Sequence, residues 1–116
     1  DVVFETQGSE YRLENQQELI LFRIVQESLN NIIKHSKATT ISVSILFEPR
    51  LFTLIIKDNG VGFDASQLEN NNYNKFGLGL RNMHSRANII NASFKLTSTI
   101  NEGTVITLTL PLETPK

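Results

Sequence analysis

The sequence predicts a single α/β sandwich, and three observations carry that expectation. Alternating apolar residues mark strands on both sides of the middle of the chain, two helical stripes lie among them, and 116 residues are enough for one core but not for two. A content of 40% hydrophobic and 20% charged residues is that of an ordinary globular domain, not of a disordered one. The formal net charge of −1 argues against a bulk electrostatic grip on nucleic acid or anionic lipid. With no cysteine, disulfides, thiolate catalysis and Cys-type zinc sites are excluded. His35 and His84 are too few for a multi-histidine metal centre. The longest wholly apolar run, Leu19-Ile20-Leu21-Phe22, falls far short of the roughly 18 residues of a membrane span. No signal peptide opens the chain, which starts at Asp1 without a methionine; it reads as one domain, 1–116, cut from a longer polypeptide.

A short apolar start, Val2-Val3-Phe4, precedes a first helix predicted from about Asn15 to His35. Phe22, Val25, Leu29 and Ile32 recur at steps of three, four and three, the stripe of a packed helix. On the opposite side, Glu27, Asn31 and Lys34 fall within about 60° of one another. A carboxylate, an amide and an ammonium then share one face, which taken alone reads more readily as a solvated surface than as a site. Ile41, Val43 and Ile45 alternate with Ser42 and Ser44 in a half-buried strand ending near Phe47, and Glu48-Pro49-Arg50 makes the turn. In the next strand Phe52, Leu54 and Ile56 have one parity and Leu51, Thr53 and Ile55 the other, so both faces are at least partly covered. Asp58 has the parity of Leu54 and Ile56, which aims a carboxylate inward at the end of the strand. Such a group needs a donor, either the Asn59-Gly60 turn that it caps or a ligand. A second helix is expected from Leu78 to about Ile90, with Leu80, Met83, Ala87 and Ile90 inward. Phe94, Leu96 and Ser98 alternate in a third strand and Thr104, Ile106, Leu108 and Leu110 in a fourth, joined by the hairpin turn Asn101-Glu102-Gly103.

Five of the six glycines follow a strand or precede a helix or strand. Asp58-Asn59-Gly60-Val61-Gly62 ends a strong strand, Gly77-Leu78-Gly79-Leu80 opens a helix, and Gly103-Thr104 opens the last strand. Glycine in such places permits positive φ and close approach of a ligand to the backbone. A helix start also offers free N–H groups and a positive dipole end, suited to phosphate. Neither a Walker loop nor a dinucleotide fingerprint is present. Together with Glu27, Asn31 and Lys34, the order of these motifs becomes specific. The segment from Glu27 through Asn31 to Lys34-His35 resembles the N box of the Bergerat ATP-binding fold, Asp58 to Gly62 its first glycine box, Gly77 to Leu80 its second, and Gly103-Thr104 its last glycine motif. That fold is shared by type II topoisomerases, heat-shock chaperones, mismatch-repair ATPases and sensor histidine kinases. Within it, Arg23 to Asn31 with Lys34-His35, and Gly79 to Met83 with Arg86-Ala87, resemble the histidine kinase branch that includes the desaturase thermosensor and the nitrate sensors.

The resemblance implies a two-layer sandwich whose mixed, mostly antiparallel sheet is covered on one face by helices. It implies ATP and Mg²⁺ as cofactors. Asn31 would bind the ion through its amide oxygen, and Lys34 would offset charge on the triphosphate. Asp58 would accept a hydrogen bond from the adenine amino group, with Thr104 near the same base. Gly60 and Gly62 would shape the base end, while Gly77, Gly79 and Leu80 would frame the lid, 63–76, and present N–H groups to the phosphates. His35 would lie near the ribose or phosphates, or serve structure. Glu27 would hold a Mg²⁺-bound water or stand behind the ligands, with general base as the lesser role. Arg81 and Arg86 are cations on the helix after the lid, and Arg81 would form a salt bridge on the helix surface or reach a phosphate or the partner domain.

The reaction implied is transfer of the γ-phosphoryl group of Mg-ATP to a histidine on a separate dimerisation and phosphoacceptor domain, with a response regulator downstream. Neither His35 nor His84 matches the acceptor, since the first lies in the N box and the second follows the second glycine box. The domain alone is expected to be monomeric, its parent a homodimer, its location cytoplasmic, and nucleic acid no partner. Two other classes share the motifs: a serine protein kinase of the anti-sigma type, and a nucleotide-dependent binding module without transfer.

Overall fold

The computed structural model describes residues 1–62 and 78–116, without the side chains of residues 35, 36 and 78–81. The expected lid, 63–76, and Gly77 lie outside the described residues. The described chain runs β1 (Val2–Gln7), α1 (Asn15–Asn31), a π-helical turn (Ile32–Ser36), β2 (Ile41–Phe47), β3 (Leu51–Asp58), α2 (Leu78–Ile89), β4 (Ser93–Thr99) and β5 (Gly103–Pro111). The five strands form one sheet in the order β1-β2-β3-β5-β4. Only the β1–β2 pair is parallel; the other three pairs are antiparallel. This is the mixed, mostly antiparallel sheet of an α/β fold. The strand that the sequence did not declare is β1. All six of its residues are exposed at the sheet edge, so pairing rather than alternation makes it a strand.

Register stacks the apolar residues into rows across the sheet. Val43 pairs with Ile56, Ile56 with Ile106 and Ile106 with Leu96; Ile45 pairs with Leu54, Leu54 with Leu108 and Leu108 with Phe94. Each of β2, β3, β4 and β5 contributes alternate residues to one face, and that face meets the helices through Ile24 of α1 and Met83 and Ala87 of α2, all fully buried. Between the helices, the Ser28 hydroxyl donates to the Ile24 carbonyl at 2.8 Å and touches the Met83 sulfur at 2.9 Å.

The buried arc of α1 differs from the predicted stripe. Leu21, Ile24 and Ser28, continued by Ile32, are buried, whereas Phe22 is 58% exposed and Val25 and Leu29 are half-buried. At 100° per residue the arc is rotated by about 75° from the expected one. The reason is tertiary: α1 packs on the sheet and on α2 together, and their combined surface sets which residues are covered. In α2, Met83, Ala87 and Ile90 face inward as expected.

The start of α1 is capped without the usual short polar residue. The Glu14 N–H donates to the Gln17 side chain at 3.1 Å, and the Leu13 N–H donates to Glu18 at 3.1 Å. Arg12 donates two hydrogen bonds to the same Glu18 carboxylate, at 2.8 and 2.6 Å. The paired guanidinium holds the Glu18 carboxyl down at about 2, from an ordinary 4.5. At the far end α1 passes into the π-helical turn and stops at Lys37, whose φ of 56° is left-handed.

Candidate nucleotide site

The site is built at the end of the sheet where β3 stops and β5 begins. The last helix-side row there pairs Ile41 with Asp58, Asp58 with Thr104 and Thr104 with Ser98. A carboxylate and two hydroxyls thus stand where the neighbouring rows across β2, β3, β5 and β4 are apolar. Asp58 is only 3% exposed. One of its carboxylate oxygens, Oδ1, accepts the Gly60 N–H at 2.8 Å, so the turn that follows supplies the donor that burial demands. Ser98 Oγ donates to the Gly103 carbonyl at 3.1 Å and lies 2.8 Å from Thr104 Oγ1.

Asn59 ties this row to the segment leaving the π-helical turn. Its Oδ1 accepts the N–H groups of both Thr39 and Thr40 at 2.9 Å, and its Nδ2 donates to Thr39 Oγ1 at 2.8 Å. The chain that leaves α1 at Asn31 is therefore fastened, within ten residues, beside Asp58. The two glycines with left-handed φ in this region serve the protein's own backbone. A Cβ on Gly62, at φ 62°, would collide with the Thr99 carbonyl oxygen, and one on Gly103, at φ 112°, would collide with that of Asp58. The loop after β3 and the β4–β5 hairpin are in this way pressed together, and the Asn101 N–H donates to the Val61 carbonyl at 2.6 Å.

The other predicted residues are placed as follows. Glu27 and Asn31, one turn apart on α1, are half-buried, at the flank of the buried arc and not opposite it. Lys34 is exposed in the π-helical turn, which also carries His35. Gly60 is buried beside Asp58. Gly79 and Leu80 belong to the first turn of α2, and Arg81 to its next positions; their side chains, like that of His35 and all of Gly77, lie outside the description. Arg86 is half-buried in the last turn of α2, where a cation complements the helix dipole. The His84 ring meets the Phe94 ring edge to face at a centroid distance of 5.8 Å, joining α2 to β4. Among the described residues no three His, Cys, Asp or Glu side chains cluster as a metal cage.

Two residues of this end were not singled out from the sequence: Asn59, as a clamp on the segment after the helix, and Ser98, as the partner of Thr104. Ser98 carried a signal, because it shares the inward parity of Phe94 and Leu96 yet ends their row with a hydroxyl.

A chain with this fold and this row of polar groups is a nucleotide-domain candidate, and the comparisons define its class. It belongs to the family described as histidine kinase-, DNA gyrase B-, and HSP90-like ATPase, which it matches over residues 16–114. Its relatives within that family are sensor kinases. It is 35% identical over 113 residues to the signal transduction histidine-protein kinase/phosphatase DegS of Brevibacillus brevis, covering 97% of this chain and 28% of that protein. It is 32% identical over 111 residues to the oxygen sensor histidine kinase NreB of Staphylococcus carnosus, covering 96% of this chain and 31% of that protein. The chain thus spans less than a third of the length of these curated relatives. Among solved structures, the histidine kinase domain of the Erythrobacter litoralis EL346 blue-light activated histidine kinase superposes with a TM-score of 0.72 at 18% identity, over 96% of this chain and 55% of that one. The mycobacterial sensor histidine kinase MprB gives 0.68 at 22% identity, over 95% and 81%. These two likenesses establish the fold. Membership of the ATPase family carries ATP binding with it.

Proposed function

We propose that this domain binds Mg-ATP and transfers its γ-phosphoryl group to a histidine on a separate helical phosphoacceptor domain, as the catalytic part of a bacterial two-component sensor kinase. The observation that carries the reading is the buried Asp58 carboxylate set beside Thr104 at the sheet end to which α1 delivers Asn31, in a chain whose relatives are named histidine kinases. Asp58 and Thr104 meet the adenine edge. Gly60 and Gly62 shape the loop under the base, and Gly77, Gly79 and Leu80 bring backbone N–H groups at the start of α2 towards the phosphates. Lys34 offsets triphosphate charge, and His35 stands near the ribose or phosphates.

Magnesium suits the donor set on α1. Asn31 and Glu27 offer an amide and a carboxylate oxygen one turn apart, and an ion that keeps waters and phosphate oxygens asks for few protein ligands. When bound it neutralises charge on the phosphates. Glu27 would hold a water of that ion or stand behind the ligands, and the base for the acceptor imidazole would come from the acceptor domain.

In the transfer, an imidazole nitrogen bonds to the γ-phosphorus while the bond from that phosphorus to the β–γ bridging oxygen breaks, and ADP leaves with the electron pair. The imidazole N–H proton passes to a base on the acceptor side. The domain's own share is to hold the nucleotide in line and neutralise its charge. The acceptor domain, a response regulator downstream, a dimeric parent and a cytoplasmic location where ATP is available complete the proposal; the isolated domain is monomeric. No described helix is long and apolar enough to cross a membrane.

The test is radiolabelled ATP with the chain alone, then with the helical domain of its parent added. We expect no label on the chain alone and acid-labile, base-stable label on the added domain. Label on serine of a partner would favour the anti-sigma class, and strong label on His35 or His84 of the isolated chain would overturn the reading.

A further inference from the structure

The pairing of β2 with β3 ends at Ile41 and Asp58. Thr39 and Thr40, ahead of Ile41, are exposed, and their N–H groups lie past the end of that ladder. The Asn59 side chain acts there as a further strand carbonyl. Its Oδ1 accepts both N–H groups at 2.9 Å, as an oxygen with two lone pairs can, and its Nδ2 donates to Thr39 Oγ1 at 2.8 Å. These contacts fix which way the amide faces, because the reversed group would set its own N–H against two N–H donors. The Asn59 backbone N–H adds a bond to the Thr40 carbonyl at 3.3 Å. The residue next to Asp58 thereby extends the grip of the sheet beyond its last pair.

What it grips is the exit of the turn that carries the phosphate-end residues. Asn31 closes α1, Lys34 stands in the π-helical turn Ile32–Ser36, and Lys37, with its left-handed φ, ends that turn ahead of Thr39. Ile32, buried in the core, holds the start of this stretch, and Asn59 holds the chain where it leaves. A single π-helical turn lacks the regular ladder that fixes an α-helix residue by residue, so the anchoring of its two ends decides where its side chains stand. We infer that Asn59 is a positioning residue that sets the base end of the site, at Asp58, against its metal and phosphate end, at Asn31 and Lys34. The inference rests on the proposed roles of those three residues, and it assigns Asn59 no contact with the nucleotide. An alanine at this exposed position leaves the two N–H groups to water, which the fold tolerates, and lets the exit of the turn drift relative to Asp58.

The experiment titrates the 116-residue chain with Mg-ATP by calorimetry and with adenosine, which has the base but no phosphate, by NMR shifts. In Asn59→Ala the affinity for Mg-ATP should fall about threefold to tenfold, the range that one hydrogen bond commands, while that for adenosine stays within about twofold of wild type. Asn59→Asp keeps an oxygen for both N–H groups and should restore Mg-ATP binding, measured in salt high enough to screen its added charge. If Asn59→Ala weakens both ligands by one factor, or neither, the clamp serves the fold alone and the inference is overturned. An Asn59→Asp chain as weak as Asn59→Ala overturns it too, because the acceptor oxygen is then not what matters. Should Asn59→Ala fail to fold, Asn59→Ser, whose hydroxyl is too short to span both N–H groups, is read by the same ratio. A wild-type chain that binds neither ligand would overturn the nucleotide reading itself, and one that binds Mg-ATP but not adenosine would overturn the assignment of Asp58 to the base. Binding of both with an unchanged ratio in Asn59→Ala overturns this inference alone.

Discussion

Asp58 satisfies its burial with one oxygen and leaves the other for the ligand of our proposal. The Gly60 N–H engages one carboxylate oxygen, so the group is tolerated at 3% exposure, and the Asn59-Gly60 turn it caps is held in place. An asparagine can keep that turn bond through its own oxygen while turning an amide donor towards the base. Asp58→Asn should therefore stay folded and lose about 1.5–3 kcal/mol of ATP affinity, the value of a hydrogen bond to a charged group; unchanged affinity in calorimetry would remove Asp58 from the site. Asn31 makes a separable prediction. Its half-buried amide serves the ion in our proposal, so Asn31→Ala should weaken Mg-ATP far more than metal-free ADP, and equal losses would make it structural. The inward aim of Asp58 was legible from strand parity. The Ser98–Thr104 and Asn59–Thr39 hydrogen bonds were not, because they join residues whose proximity only the strand register and the path after α1 create.

Among the elements, α1 departs most from its sequence pattern. Its apolar residues are spread widely enough that two arcs are plausible, and contact with both the sheet and α2 selects the one through Leu21, Ile24 and Ser28. The rotation brings Asn31 to the border of the buried surface, where an amide can be both positioned and reached. The start of α1 carries a pH dependence. Glu18 titrates near 2 in the folded chain against about 4.5 ordinarily, because Arg12 and the Leu13 N–H hold it ionised. A carboxyl with a depressed folded pKa adds stability above its unfolded value that is lost as the pH falls through the folded one. The urea midpoint of wild type over Glu18→Gln should therefore be higher at pH 6 and converge as the pH drops from about 4.5 towards 2; a gap that stays constant over that range would show that the pair contributes nothing. The edge strand β1 was hidden for a different reason: it buries none of its side chains, so no apolar alternation marks it, and its parallel register with β2 is a property of the partner.

At the scale of the whole molecule, the site we propose closes the end of the same sheet whose middle rows form the core, so nucleotide binding there would be coupled to folding. A ligand that binds only the folded chain stabilises it by about 2.7 kcal/mol at a hundred times its dissociation constant. For a domain of this size Mg-ATP at that excess should raise the melting temperature by on the order of 10 °C. No rise, or an equal one with GTP at the same concentration, would argue against an adenine site at this end of the sheet. The α/β sandwich, the two helices, four of the five strands and the order of the polar motifs were determined by the sequence itself, because periodicity and turn chemistry are local and leave their mark within a few residues. Tertiary structure alone decided the arc that α1 buries, the pairing of β1 and the alignment of Asp58, Thr104 and Ser98 in one row. Those depend on which surfaces meet and in what register, and Asp58 and Thr104, far apart in the chain, become neighbours only once the sheet has set their register.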